Sequence, residues 1–107
     1  MSNLTVKVLQ GVVRGCKEKL ANGCSYLRFS GIPFAQKPIN ELRFKSPQKI
    51  IKFDEPEIDC TKEGSECFHK STFTGQFVGS EDCLYLNVYV PETKSSSKLA
   101  VMVFIHG

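Results

Sequence analysis

Leu99-Ala100-Val101-Met102-Val103-Phe104-Ile105 is the stretch that decides the fold class. It is apolar at every position, rich in β-branched residues, and bounded by the polar run Pro91–Lys98 before it and His106-Gly107 after it. A short apolar run with no polar alternation predicts a strand buried on both faces, as in a sheet with helices above and below. It is far too short for a membrane-spanning helix, which needs about 20 residues. Upstream, Leu84–Val90 reads differently. Leu84, Leu86, Val88 and Val90 fall on one face, and Tyr85, Asn87 and Tyr89 on the other, which predicts a half-buried strand. Ser25–Ser30 also alternates and predicts a strand whose partner is close in sequence. Val6–Leu9 and Val12–Arg14 flank Gln10-Gly11 and predict a tight hairpin. Between Gly31 and Ser80 the chain is rich in proline and glycine, with no sustained 3.6-residue period. A strand buried on both faces needs covering layers, and these residues offer no helices to supply them. The expectation is therefore α/β: the N-terminal, mostly β portion of a larger domain, with residues 1–107 forming an incomplete unit.

The composition excludes several classes. Hydrophobic residues make up 41% and charged residues 23% of the 107, which is ordinary for a globular protein and unlike a disordered or fibrous one. The net charge is +3 and the basic residues are scattered, so a nucleic-acid partner is not expected. The five cysteines form no C-x-x-C pair, and His69 and His106 are not spaced as zinc ligands, so neither a metal nor any other cofactor is expected. The start, MSNLTVKVLQGVVRG, has no basic region leading into an apolar run, which predicts a cytoplasmic chain. A secreted protein is the alternative if the true N-terminus lies upstream. Asn3-Leu4-Thr5 is formally a glycosylation sequon, expected to be unmodified in a cytoplasmic chain.

Three stretches, in order, carry a resemblance to a known family. GIPFAQKPINELRFKSP, Gly31 to Pro47, is similar to a G-I-P-[FY]-A segment followed by R-F. SEDCLYLNVYVP, Ser80 to Pro91, resembles the E-D-C-L-Y-L-N-[VI] pattern. VMVFIHG, Val101 to Gly107, resembles the strand that leads into an HGGG-type oxyanion segment. Together they resemble the type-B carboxylesterases, serine esterases of the α/β-hydrolase fold; the start without a signal-peptide pattern and the spacing around TGQFVGSEDC look most like the insect α-esterase type. The last match alone has a plain alternative, a strand followed by a polar turn.

The resemblance implies roles for particular residues. Cys67 and Cys83 would form a disulfide at the rim of the active-site gorge, stabilising by roughly 3 kcal/mol through restriction of the unfolded chain. A cytosolic chain would instead keep both thiols reduced. Arg43 and Glu81 would form a structural ion pair; the alternative is two solvated charges. His106 and Gly107 would open the oxyanion segment. The family's donors are the second and third glycines of that run, so Gly107 neighbours the hole and donates nothing to it. His106 is not the triad histidine, and no G-x-S-x-G occurs, so no catalytic residue is expected in this chain. The implied activity is hydrolysis of small-molecule carboxylic esters through an acyl-enzyme. The residues present would be inactive alone. A non-catalytic adhesion or scaffold protein on the same fold is the alternative function.

Overall fold

The first hairpin forms around a two-residue turn, Leu9-Gln10. Strands β1 (Thr5–Val8) and β2 (Gly11–Arg14) pair antiparallel, with Val8 opposite Gly11. The computed structural model describes residues 4–93 and 96–107. Asn3 of the sequon, and Lys94 and Ser95 of the polar run, lie outside the described residues. On its other side β2 pairs in parallel with β5 (Glu57–Asp59), giving a three-stranded sheet of order β1-β2-β5. Arg14 ties that parallel pair together, with Nε 3.2 Å from Glu57 Oε1 and Nη2 3.4 Å from Asp59 Oδ2. Hydrogen bonds from the Thr61 hydroxyl and backbone hold the Asp59 carboxyl below the usual carboxylate range.

Strands β3 (Cys16–Lys19), β4 (Ser25–Pro33) and β8 (Tyr85–Pro91) form a second three-stranded sheet of order β3-β4-β8, with all pairs antiparallel. Strand β4 is central, and β8 lies along one edge. The nearby partner of β4 is β3. Its sequence, CKEK, carries no apolar alternation, and backbone pairing rather than burial holds it. Arg28 of β4 secures β3 through Glu18, at 3.0 Å. A short hairpin of β6 (His69–Lys70) and β7 (Phe77–Val78) completes the strands.

The core sits where the two larger sheets meet. Val13, Phe29, Phe53 and Cys60 are buried together, with Leu27, Ile32, Ile50 and Ile58 packed around them. Each large apolar side chain withdrawn from water in this way contributes about 1.5–3 kcal/mol. The Cys60 thiol is completely buried, and burial, reinforced by the Asp59 charge, pushes its pKa up.

Two expectations are corrected. Leu99–Ile105 forms no strand, and Val101 to Ile105 are 83–96% exposed rather than buried. The cause is physical: no strand pairs with this stretch among the described residues, and no layer covers it. The β8 face expected to be half-buried is also open. Leu86, Val88 and Val90 are 38–41% exposed, because no layer among the described residues covers this face. The described residues contain no α-helix, only a 3-10 turn at Asn40–Leu42. No helix among them is long and apolar enough to cross a membrane. The architecture described is thus strand-rich, as expected for a mostly β segment.

Candidate functional site

The two longest motif segments meet at a bulge in the β4–β8 ladder. Phe29 pairs with Val88 and Ile32 with Leu86, so Ser30 and Gly31 together oppose Asn87. Gly31 adopts φ +71°, a left-handed conformation that costs glycine nothing. Its N–H donates to Asn87 Oδ1 at 2.9 Å. A Cβ at this position would stand 2.7 Å from the Lys62 carbonyl oxygen and 3.0 Å from Gly64 N. Glycine is therefore required both by the turn and by the close approach of the next segment. Ser30 is fully buried, donates its N–H to the Cys60 carbonyl at 2.7 Å, and accepts from Arg28 Nη1 at 2.9 Å.

Beyond the bulge, Phe34 N–H donates to the Leu84 carbonyl at 3.1 Å and the chain turns away into a loop. That loop closes where Gln36 N–H donates to the Gln48 carbonyl and Gln36 Nε2 donates to the Lys49 carbonyl. Its outer end carries Arg43, whose Nε contacts Glu81 Oε1 and whose guanidinium lies 4.9 Å from the Phe44 ring centroid. Both charged side chains are about half exposed, 55% and 45%. The contact joins the loop to the start of the second motif and contributes little stability, about 0–1 kcal/mol.

Asp82 has partners that local spacing did not reveal. Tyr85 OH donates to Asp82 Oδ1 at 2.8 Å, and Lys37 Nζ lies 3.9 Å from Asp82 Oδ2. Partial burial, aided by the hydrogen bond and charge of Asp82, pushes the Tyr85 phenol up to about 12. The Tyr85 ring lies against Gly64, where a Cβ would meet ring carbons at 2.5 Å. These side chains edge an open cavity of about 770 Å³, which Ala35, Phe53 and Asp59 also line.

Cys67 and Cys83 are joined in a disulfide, with Cα atoms 4.9 Å apart. The bond closes the base of a loop that contains β6 and β7. Phe68 N–H donates to the Ser80 carbonyl and Ser80 N–H to the Glu66 carbonyl, so the base is zipped by backbone as well. The Phe68 and Phe77 rings stack with centroids 5.5 Å apart, and Phe73 stands fully exposed at the tip. An apolar, aromatic surface is thereby held out on a covalently closed loop.

The structure brings Arg43 to Glu81 and Cys67 to Cys83. His106 and Gly107 lie in exposed chain, with His106 Nδ1 3.0 Å from the Gly107 carbonyl oxygen. The described residues contain no cluster of histidine, cysteine and carboxylate that could hold a metal. Sequence reading missed the Gly31–Asn87 hydrogen bond and the Phe68–Phe77 stack. Asn87 was visible inside its motif, but its partner lies 56 positions earlier, beyond any local pattern.

The carboxylesterase family model matches residues 2–107. This chain belongs to the carboxylesterase family. The family's relatives include a juvenile hormone esterase of Tribolium castaneum, 48% identical over 98 residues, which are 90% of this chain and 16% of the relative. Esterase B1 of Culex pipiens is 39% identical over 107 residues, which are 100% of this chain and 20% of the relative. Acetylcholinesterase 1 of Caenorhabditis elegans is 42% identical over 92 residues, which are 75% of this chain and 15% of the relative. This carboxylesterase-family chain thus spans a fifth or less of the length of each of these three relatives.

Proposed function

We propose that residues 1–107 form the N-terminal part of a carboxylesterase type-B domain of the α/β-hydrolase fold, reaching the start of the oxyanion segment. The parent reaction is hydrolysis of a carboxylic ester by a serine nucleophile through an acyl-enzyme. The observation that carries this reading is the family match across residues 2–107, with esterases as relatives at up to 48% identity. The ester class is carried over, and no single substrate. Relatives of comparable similarity are named for juvenile hormone and for acetylcholine, two different esters.

The bulge at Gly31 and the Arg43–Glu81 contact tie the early loop to β8, and β8 leads towards His106-Gly107. In ester hydrolysis, negative charge develops on the carbonyl oxygen, and aimed backbone N–H groups stabilise it. In this reading His106 and Gly107 lead into those donors, and the nucleophile, acid and triad histidine lie outside this chain. The disulfide-closed loop with Phe68, Phe73 and Phe77 forms part of the rim of the substrate gorge. The disulfide favours an oxidising compartment. A relative named venom carboxylesterase, 38% identical, supports the secreted alternative over the cytoplasmic one.

The test compares the 107-residue chain with a form extended through the downstream sequence, using p-nitrophenyl acetate as substrate. The extended form should hydrolyse it and lose that activity to a serine-directed inhibitor. The short chain should not exceed a boiled control. Inhibitor-sensitive hydrolysis by the short chain, or an inert extended form that lacks a nucleophile serine, would refute the assignment.

A further inference from the structure

The β3–β4 hairpin ends in Leu20-Ala21-Asn22-Gly23-Cys24, exposed throughout. Asn22 is one of four asparagines, and the others lie at positions 3, 40 and 87. It alone precedes a glycine. Asn40 precedes Glu41, and Asn87 precedes the β-branched Val88 while its amide oxygen is engaged by Gly31 N–H inside a strand ladder. At the hairpin tip, Cys24 N–H donates to Asn22 Oδ1 at 3.0 Å. This contact folds the side-chain amide back over the Asn22–Gly23 peptide and polarises its carbonyl. Gly23 sits at φ +88°, and nothing lies within 4 Å of where a Cβ would be. The space beside the Gly23 Cα is therefore open, and the backbone has the freedom of glycine. Two backbone hydrogen bonds hold the tip, from Leu20 N–H to the Cys24 carbonyl at 2.8 Å and, tying up the attacking nitrogen, from Gly23 N–H to the Leu20 carbonyl at 3.0 Å. Both join exposed residues, so water replaces them at small cost.

The geometry points to Asn22 as a site of spontaneous covalent modification, deamidation through a cyclic imide. The Gly23 nitrogen, giving up its proton to solvent base, attacks Asn22 Cγ and forms a new C–N bond. The Cγ–Nδ2 bond breaks, and the amide nitrogen leaves as ammonia after taking a proton from water. The resulting five-membered succinimide is opened by one water molecule at either carbonyl. Opening yields aspartate or, when the main chain is rerouted through the side-chain carbon, isoaspartate. The balance is asparagine plus water to carboxylate product plus ammonia, with no oxidant or reductant. The hydrogen bond from Cys24 N–H stabilises the oxygen as charge develops on it in the first step. The product removes one unit from the net charge of +3. Isoaspartate also inserts a methylene into the turn that sets the Lys19–Ser25 register.

The experiment is timed incubation of the purified protein at neutral and mildly alkaline pH. Ammonia release, peptide mapping and enzymatic methylation of isoaspartate are the readouts. The Asn22 peptide should convert to a mixture of aspartate and isoaspartate, faster at higher pH, while the Asn40 and Asn87 peptides keep their amides. Asn22→Ser should abolish the isoaspartate signal completely. A synthetic peptide spanning Leu20 to Ser25 sets the rate without the fold. If Asn22 in the folded protein stays intact while that peptide converts, the hairpin holds the Gly23 amide closed and the inference is overturned. Conversion at Asn40 or Asn87 as fast as at Asn22 would overturn it equally.

Discussion

Replacing Gly31 by alanine tests the account of how the two motif segments are joined. Two costs are separable. An L-residue held at φ +71° is disfavoured by about 1–2 kcal/mol. The reduced freedom of the unfolded chain offsets this by about 0.4–1 kcal/mol. The second cost is steric. The new Cβ would stand 2.7 Å from the Lys62 carbonyl oxygen and 3.0 Å from Gly64 N. Both are backbone atoms, so relief requires moving a chain segment, and such overpacking typically costs about 1–3 kcal/mol. Gly31→Ala should therefore destabilise by about 2–4 kcal/mol. Gly75 provides a matched control: it has the same φ of +71° and nothing within 4 Å of its Cβ position. Gly75→Ala carries only the backbone cost, about 1 kcal/mol after the unfolded-state offset. Urea denaturation followed by far-ultraviolet circular dichroism measures both, since this stretch has no tryptophan to report on it. The midpoint should fall further for Gly31→Ala at an unchanged slope. Equal midpoints for the two variants would refute the claim that packing against the Lys62–Gly64 segment demands glycine.

Further outcomes follow from the other contacts. Cys67→Ser with Cys83→Ser should lose roughly 3 kcal/mol and leave a loop open to proteolysis; peptide mapping without reductant should recover Cys67 linked to Cys83 in the parent. A double-mutant cycle on Arg43 and Glu81 should give a coupling of about 0–1 kcal/mol, screened by salt, because both side chains are about half exposed. A coupling several times larger would show a desolvated pair. Partial burial and Asp82 push the Tyr85 phenol up to about 12, against 10.0 when unperturbed. Its folded pKa is the higher one, so its stabilising contribution is intact below pH 10 and is lost as pH rises towards 12. Tyrosinate absorbance of the parent minus that of Tyr85→Phe should isolate this step, and Asp82→Asn should lower it part of the way.

The first hairpin, β4 and β8 were legible because glycine punctuation and alternation are local signals. The hairpin turn fell one residue earlier than expected, at Leu9-Gln10. Strands β3 and β5 were not legible. The sequence of β3 has no apolar face and it exists through pairing with the neighbouring β4, while β5 has only three residues and exists through pairing with the distant β2. Leu99–Ile105 shows the opposite limit. Its composition reports the environment it requires, whereas its conformation depends on layers that no local pattern supplies. At the site, the cysteine and arginine motifs named residues that the structure places in contact. The Asn87–Gly31 hydrogen bond was hidden because side-chain direction at a bulge is set by tertiary packing.

The open apolar segment also has a consequence during synthesis. Seven consecutive residues from Leu99 to Ile105 combine high β-propensity with no charge and no proline, the signature of chains that stack into intermolecular sheets. Until something covers it, this exposed stretch is prone to pairing with its like in other chains. Lys98 and His106 flank it as gatekeepers. Replacing Lys98 with an apolar residue would leave folded contacts untouched and still reduce soluble yield, a defect of biogenesis rather than of the finished protein.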